Sequence, residues 1–314
     1  MTDGKKVTLQ SKKMSKGIKR AMVYDIVFFW AIAAIPLLML VFNWLFINLN
    51  SVLLAFRKYD DFGNALFAGV ENIAAGFKAY GGGDPVMVQS LKNSVIAYFI
   101  SVIVTSIIPI IFSYYMFKKM WGSSFFKVII FLPNIISPII TVTIFKFIVN
   151  RVIPEIWHLD QGLLDNTDTS FATVLFYSMW LSFGGGMLVQ IGAMNSTDQA
   201  TIDAGRIDGV GFFGELWHIV LPKSYGVISI GFIMGFSSIF TNQLSLYAFR
   251  GENAPAAIST LGYYYYVQVS RATAADNMAQ YPFWAAWGLV ASAISIPVTF
   301  LYRYLVNKLG PSEE

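Results

Sequence analysis

The chain runs to 314 residues, of which 56% are hydrophobic and 13% charged, with a mean hydropathy of +0.58 and a formal net charge of +4. A soluble domain carries about 25% charged residues, so this balance excludes an ordinary water-soluble globule and predicts an all-α integral membrane protein. The absence of cysteine also excludes disulfide frameworks, thiolate nucleophiles and iron–sulfur sites.

Residues 1–23 form a basic tail, with Lys5, Lys6, Lys12, Lys13, Lys16, Lys19 and Arg20 all ahead of the first apolar run. A lysine and arginine excess at the end of a span marks the cytoplasmic side, so the N-terminus is expected there. The basic residues do not alternate with aromatics along a face, and no nucleic-acid partner is expected. Ala31-Ile32-Ala33 imitates a signal-peptide cleavage box, but the apolar run continues to Leu49, which predicts a retained first span.

Crossing about 30 Å of hydrocarbon takes about 20 apolar residues as a helix. Six segments qualify: 24–49, 94–117, 125–147, 171–194, 227–246 and 284–304. Together they define a single six-span membrane domain over 24–308, and residues 309–314 are left as a second cytoplasmic tail. Lys118, Lys119 and Lys127 flank the connection between the second and third spans, whereas Glu155, Asp160, Asp165 and Asp168 fill the next one, as expected for an inner and an outer connection. Pro133, Pro138 and Pro297 fall inside spans and predict kinks. Gly184-Gly185-Gly186 predicts close approach of a neighbouring helix, with a gating hinge as the alternative. Tyr263 to Tyr266 predict an aromatic belt at the membrane interface.

Catalytic chemistry has little to work with. The two histidines, His158 and His218, lie in connections on opposite sides, so no metal centre or triad can be built on them. The glycines at 81–83 lack the lysine of a phosphate loop. No ionisable group sits at a span centre, and Lys146 lies close enough to an end to snorkel, which disfavours a self-sufficient ion-coupled carrier. The energy for any transport is therefore expected from another polypeptide.

The most polar internal segment is 196–222. Ser196-Thr197-Asp198-Gln199 fits a capping box with Ser196 as N-cap, and Gly209 is placed to end the short helix that follows. Helical spacing puts Ala200, Ala204 and Ile207 on one face and Gln199, Asp203 and Arg206 on another. Ala204 and Gly205 keep the surface thin enough for a partner backbone. Phe212, Phe213, Leu216, Trp217, Ile219 and Val220 then predict a second amphipathic piece, which Leu221-Pro222 should close. The expectation is a helix-turn-helix on the cytoplasmic surface between the fourth and fifth spans.

Asp203, Ala204, Gly205, Asp208, Gly209, Ile219, Leu221 and Pro222 stand at the spacing of the pattern E-A-A-x-x-D-G, nine residues, I-x-L-P. The segment resembles the EAA loop of ABC-importer permeases. Two positions depart from that pattern: Asp203 replaces the glutamate and Gly205 the second alanine. The resemblance implies that the acid at 203 pairs with a basic residue of an ATPase subunit; a local pair with Arg206 is the alternative. "GVENIAAGFKAY" (69–80), "SLKNSV" (90–95), "FLPNIISPII" (131–140) and "STLGYYYY" (259–266) are similar to stretches of carbohydrate-importer permeases. The ending "LYRYLVNKLGPSEE" lacks the glycine-rich extension of many second subunits and resembles the maltose-type "F" subunit. The resemblance implies a bacterial cytoplasmic-membrane subunit that binds no cofactor of its own. Its partners would be a second, different permease, two ATPase subunits carrying ATP and Mg, and an extracellular solute-binding protein.

A sugar path needs hydroxyls, amides and aromatic surface on a few helix faces. Ser238, Thr241, Asn242 and Ser245 form such a seam in the fifth span, and Ser178 and Ser182 lie four apart beside Trp180 in the fourth. Asn134 of the third span is a further candidate. Each has a competing structural role, since hydroxyls bond carbonyls one turn back and asparagine joins helices. The solute expected is an oligosaccharide, with a polyol, an amino sugar or glycerol phosphate as alternatives.

Overall fold

The computed structural model describes residues 16–60, 62–274 and 277–310. Most of the basic tail, residues 1–15, and residues 311–314 of the second tail lie outside the described residues. The chain divides into two compact units, Met1–Leu54 and Ala55–Glu314.

The first unit is a single apolar helix, with a mean hydropathy of 2.4 over its best window within Val23–Leu54. Ser51 Oγ donates to the Ile47 carbonyl at 3.1 Å, one turn back, a bond that hydrocarbon surroundings favour.

The second unit opens with a small antiparallel hairpin, Arg57–Tyr59 with Ala65–Phe67, in which Lys58 faces Leu66. The spans that follow are Pro85–Phe117, a broken pair Ser123–Ile135 and Pro138–Trp157, then Thr167–Met194, Phe212–Phe240 and Tyr281–Lys308. Five helices of the described residues, the first unit's included, are long and apolar enough to cross a membrane, or six if the broken pair is one span. The expected kink in the third span is a bend of 101°. Ile136 is extended and Pro138 starts the second half at a position where its missing N–H costs nothing. Pro297 lies within the last helix, which continues past it.

Thr167–Met194 is the hub, packed against the second, third and fifth spans. Its glycines permit this: a Cβ on Gly184 would sit 2.5 Å from the Ile130 carbonyl oxygen, and one on Gly186 3.1 Å from that of Thr105. Close approach is thus the structural role of the glycine triplet.

The fifth span differs from expectation at both ends. Leu221-Pro222 does not stop the helix. A π-helical turn, Leu216–Val220, closes with a bond from Leu221 N–H to the Leu216 carbonyl, and Pro222 then falls in the first turn of the continuing helix, so the chain runs unbroken from Phe212. At the far end regular helix stops at Phe240. Leu244 and Ser245 take positive φ of 49° and 58°, and Gly262 lets a neighbouring helix, Leu261–Ala274, seat its backbone against the Thr241 carbonyl.

The tyrosine run is not an interfacial belt. Tyr263 is 2% exposed, donating to the Gly251 carbonyl at 2.8 Å. Tyr265 stacks on Trp287 with ring centroids 4.6 Å apart. Tyr264 donates to the Asp84 carboxylate; burial, and then that carboxylate, push its phenol pKa up. Only Tyr266 of the four stays exposed. Beside them the loop 255–261 is clasped by the start of the second span. Asn93 Nδ2 donates to the carbonyls of Ala257 at 2.9 Å and Ser259 at 2.8 Å, Ser90 Oγ donates to Ser259 Oγ at 2.9 Å, and Ser94 Oγ accepts from Leu261 N–H at 2.8 Å.

Candidate translocation cavity and coupling loop

A cavity of about 200 Å³ lies between the second, fourth and fifth spans. Ser178 and Ser182 reach it from the fourth span, and Ser238 and Asn242 from the end of the fifth. The second span contributes Ser94, Ser101, Thr105 and Ser106, and Thr260 completes the wall. No ionisable acid or base lines it among the described residues; the only acidic proton belongs to the Tyr98 phenol. Three of these hydroxyls are already engaged: Thr105 Oγ1 donates to the Ser101 carbonyl at 2.8 Å, Ser238 Oγ to that of Gly235 at 2.6 Å, and Thr260 Oγ1 to that of Asn242 at 2.8 Å. Ser178 Oγ is buried with no partner among the described residues.

The structure disperses the rest of the expected seam. Asn242 first serves the chain break, its Oδ1 accepting from Leu244 N–H at 2.8 Å. Thr241 and Ser245 lie in the non-helical stretch and do not line the cavity. Trp180 stands on the other side of its helix, stacked on Phe145 at 6.4 Å in an apolar cleft. Asn134 packs on the glycine triplet, its Nδ2 2.9 Å from where a Gly184 Cβ would be. The serines and threonine of the second span were missed by sequence reasoning, although 94, 101 and 105 recur on one helical face of an apolar run.

In the loop, the short helix is Gln199–Ile207. Its N-cap is Asp198, not Ser196, because the backbone N–H groups of Ser196 and Thr197 still bond the end of the fourth span and Asp198 is the residue that turns extended. Ser196 Oγ donates to the Ala193 carbonyl at 2.6 Å instead. At the other end Gly209 has φ +82°. Val210 N–H bonds the Gly205 carbonyl at 2.9 Å and Gly209 N–H that of Arg206 at 3.1 Å, a Schellman closure. Gly209→Val should therefore strain this turn by about 1–2 kcal/mol. We expect faster protease cleavage within 196–222 at unchanged membrane abundance. Gly211→Val, at φ −77° with open space around it, is the control; equal cleavage of the two variants would show that positive φ is not the constraint.

Gly205 does not serve a partner. It faces inward with Ile202, where a Cβ would run into Ile219 of the second piece. The outward surface carries Ala200, Asp203, Ala204 and Ile207, the last 87% exposed, with Asp208 exposed beside the turn. Asp203 Oδ1 accepts from Arg206 Nη1 at 3.2 Å and from Gln199 Nε2 at 2.9 Å, yet its side chain remains 54% exposed. Arg206 also reaches Glu215 Oε2 with its Nε at 3.4 Å.

Glu215 is the functional-looking group that sequence reasoning passed over. Its side chain is 4% exposed, and Lys118 Nζ, at the end of the second span, donates to its two oxygens at 2.6 and 2.9 Å. Tyr114 of the same span donates to the Phe212 carbonyl at 3.1 Å. The signal was an acid set between Phe212 and Leu216 on an otherwise apolar face, where a charge persists only if paired. His218 is an ordinary helix residue, Nδ1 lying 3.1 Å from the Gly214 carbonyl.

With this geometry in hand, residues 106–311 match the family described as "Binding-protein-dependent transport system inner membrane component". "Probable ABC transporter permease protein YurN" of Bacillus subtilis is 26% identical over 255 residues, 76% of this chain and 83% of that one. "Lactose transport system permease protein LacF" of Rhizobium radiobacter is 29% identical over 196 residues, 58% of this chain and 65% of its own length. A bacterial alginate ABC transporter, solved in complex with an alginate pentasaccharide-bound periplasmic protein, shares the fold with a TM-score of 0.70 at 15% identity, over 95% of this chain and 98% of that one. The family match takes in the fourth and fifth spans, the end of the second and the whole coupling loop, and the chain belongs to the binding-protein-dependent transport system inner membrane components, as a membrane-spanning permease subunit of an ABC transporter.

Proposed function

We propose that the chain forms half of the translocation path for a neutral carbohydrate in a bacterial cytoplasmic membrane. A second, different permease completes the path, an extracellular binding protein delivers the solute, and two ATPase subunits carrying ATP and Mg supply the energy through the 196–222 loop. Both termini face the cytoplasm. The observation that carries this reading is the cavity wall, whose polar side chains are hydroxyls and one amide set among apolar residues, with no carboxylate, ammonium, guanidinium or imidazole. Hydroxylated solutes find partners there, whereas a phosphate, carboxylate or ammonium group would be desolvated without a counter-charge. That favours a neutral saccharide over glycerol phosphate or an amino sugar. The sugars named for LacF and for the alginate transporter support a carbohydrate as the class, and the neutral charge rests on the cavity wall alone, alginate being an acidic polysaccharide. ATP-driven movement of the docked loop changes which side the cavity faces, through contacts that differ between the two states.

Ser178→Ala tests the site. Its hydroxyl has no partner to lose among the described residues, so the variant should be as stable as wild type or slightly more so. If the hydroxyl meets the passing sugar, uptake should still fall roughly 2- to 10-fold, the worth of one hydrogen bond. Uptake of radiolabelled maltotriose, sorbitol, glucosamine and glycerol 3-phosphate by the reconstituted four-subunit transporter and its binding protein reads both points. Wild-type uptake by Ser178→Ala would remove the serine from the path. Uptake of the phosphate ester, or uptake without ATP, would overturn the reading as a whole.

A further inference from the structure

Three spans wall the cavity, but they are attached to the coupling loop in different ways. The fourth span runs into the loop at Asn195 and the fifth grows out of it at Phe212, so both follow any movement of the loop through the covalent chain. The second span has no such connection. It meets the loop only at its end, through Lys118 on Glu215 and Tyr114 on the Phe212 carbonyl, with Tyr114 packed among Met194, Leu216 and Val220. Yet this is the span that brings Ser101, Thr105 and Ser106 to the cavity.

We propose that the Lys118–Glu215 ion pair is the joint that makes the second span move with the docked loop, with Arg206 holding the Glu215 carboxylate from the loop side. An apolar contact at this place could slide, because dispersion has no direction. A carboxylate 4% exposed cannot leave its ammonium without giving up two short bonds, at 2.6 and 2.9 Å, and keeping only the longer one to Arg206 at 3.4 Å. The pair therefore fixes register between the loop and the span end. Arg206 joins the exposed Asp203 to the buried Glu215, at 3.2 and 3.4 Å, so the outward face and the joint share one side chain. Lys118 and Glu215 are positioning residues: neither lines the cavity.

This inference rests on the reading of 196–222 as the element that an ATPase subunit moves. The test uses the complete transporter in proteoliposomes, measuring ATPase co-purification, ATP hydrolysis and solute uptake together. Lys118→Met should keep the ATPase bound and hydrolysing while uptake per ATP falls by about fivefold or more. The chain has no cysteine, so Lys118→Cys with Glu215→Cys gives a pair that a short, reducible dithiol cross-linker can bridge. Uptake per ATP should be low in the reduced pair and rise on bridging, in one and the same folded preparation. If bridging and reduction leave uptake per ATP unchanged, the joint is refuted, including where Lys118→Met fails to assemble. Absence of any ATP-dependent uptake by the wild-type assembly would instead refute the underlying transport reading.

Discussion

Gly184→Val should deplete the folded protein from the membrane. A Cβ at this position would stand 2.5 Å from the Ile130 carbonyl oxygen and 2.9 Å from Asn134 Nδ2. The first obstacle is backbone, so the two helices must separate for valine to fit. Overpacking a tight core costs about 1–3 kcal/mol, and valine adds two methyls beyond the Cβ, which places the loss at the upper end or above. Net stabilities are only about 5–15 kcal/mol. The measurement is quantitative abundance in isolated membranes together with thermal unfolding in mild detergent. Gly192→Val is the matched control, because it lies on the same helix with nothing within 4 Å of its Cβ position. If the two variants behave alike, the glycine triplet is not holding the helices together.

Asp203→Lys should cost the assembly its ATPase while leaving the membrane domain in place. The side chain is 54% exposed on the outward face, next to the 87% exposed Ile207. Reversing its charge removes the acid that would meet a basic groove and sets two cations one turn apart, the introduced ammonium facing the Arg206 guanidinium. The local repulsion is only about 0.2–0.5 kcal/mol, too little to unfold a helix closed at both ends by Asp198 and Gly209. The loss at a desolvated docking contact is about 1–3 kcal/mol, roughly 5- to 150-fold in affinity. Co-purification of the ATPase, read against membrane abundance, checks it. Wild-type capture of the ATPase by Asp203→Lys would leave the outward face without a docking role.

The apolar runs were legible because spanning needs only length and hydropathy, and Gly209 because few residues other than glycine accept φ near +82°. The cavity was half legible. Ser178 and Ser182 are four apart and share a face; Trp180 is two residues from each, and at about 100° per residue two steps lead to the opposite side. The fifth span misled at both ends for separate reasons. The proline rule predicts a stop at Leu221-Pro222, but it does not anticipate a π turn that leaves the ladder before the proline arrives. The break after Phe240 depends on a backbone docked at Gly262, which is far along the chain and carries no local sign. Glu215 and Lys118 are likewise distant in sequence, and each alone reads as a surface charge near a span end.

The clasp on the loop 255–261 distributes mutational tolerance unevenly. Asn93 holds that loop by the carbonyls of Ala257 and Ser259, with a longer bond to Ala256, and a carbonyl is the same acceptor whichever side chain the residue bears. Ala256 and Ala257 can therefore be exchanged for other residues without the clasp registering the change. Asn93 has no such freedom: aspartate would present acceptors to acceptors, and leucine would leave three carbonyls facing hydrocarbon. One position on the second span thus bears the constraint for Ala256 and Ala257, which are released to vary, whereas Ser259 and Thr260, engaged through their own hydroxyls, are not.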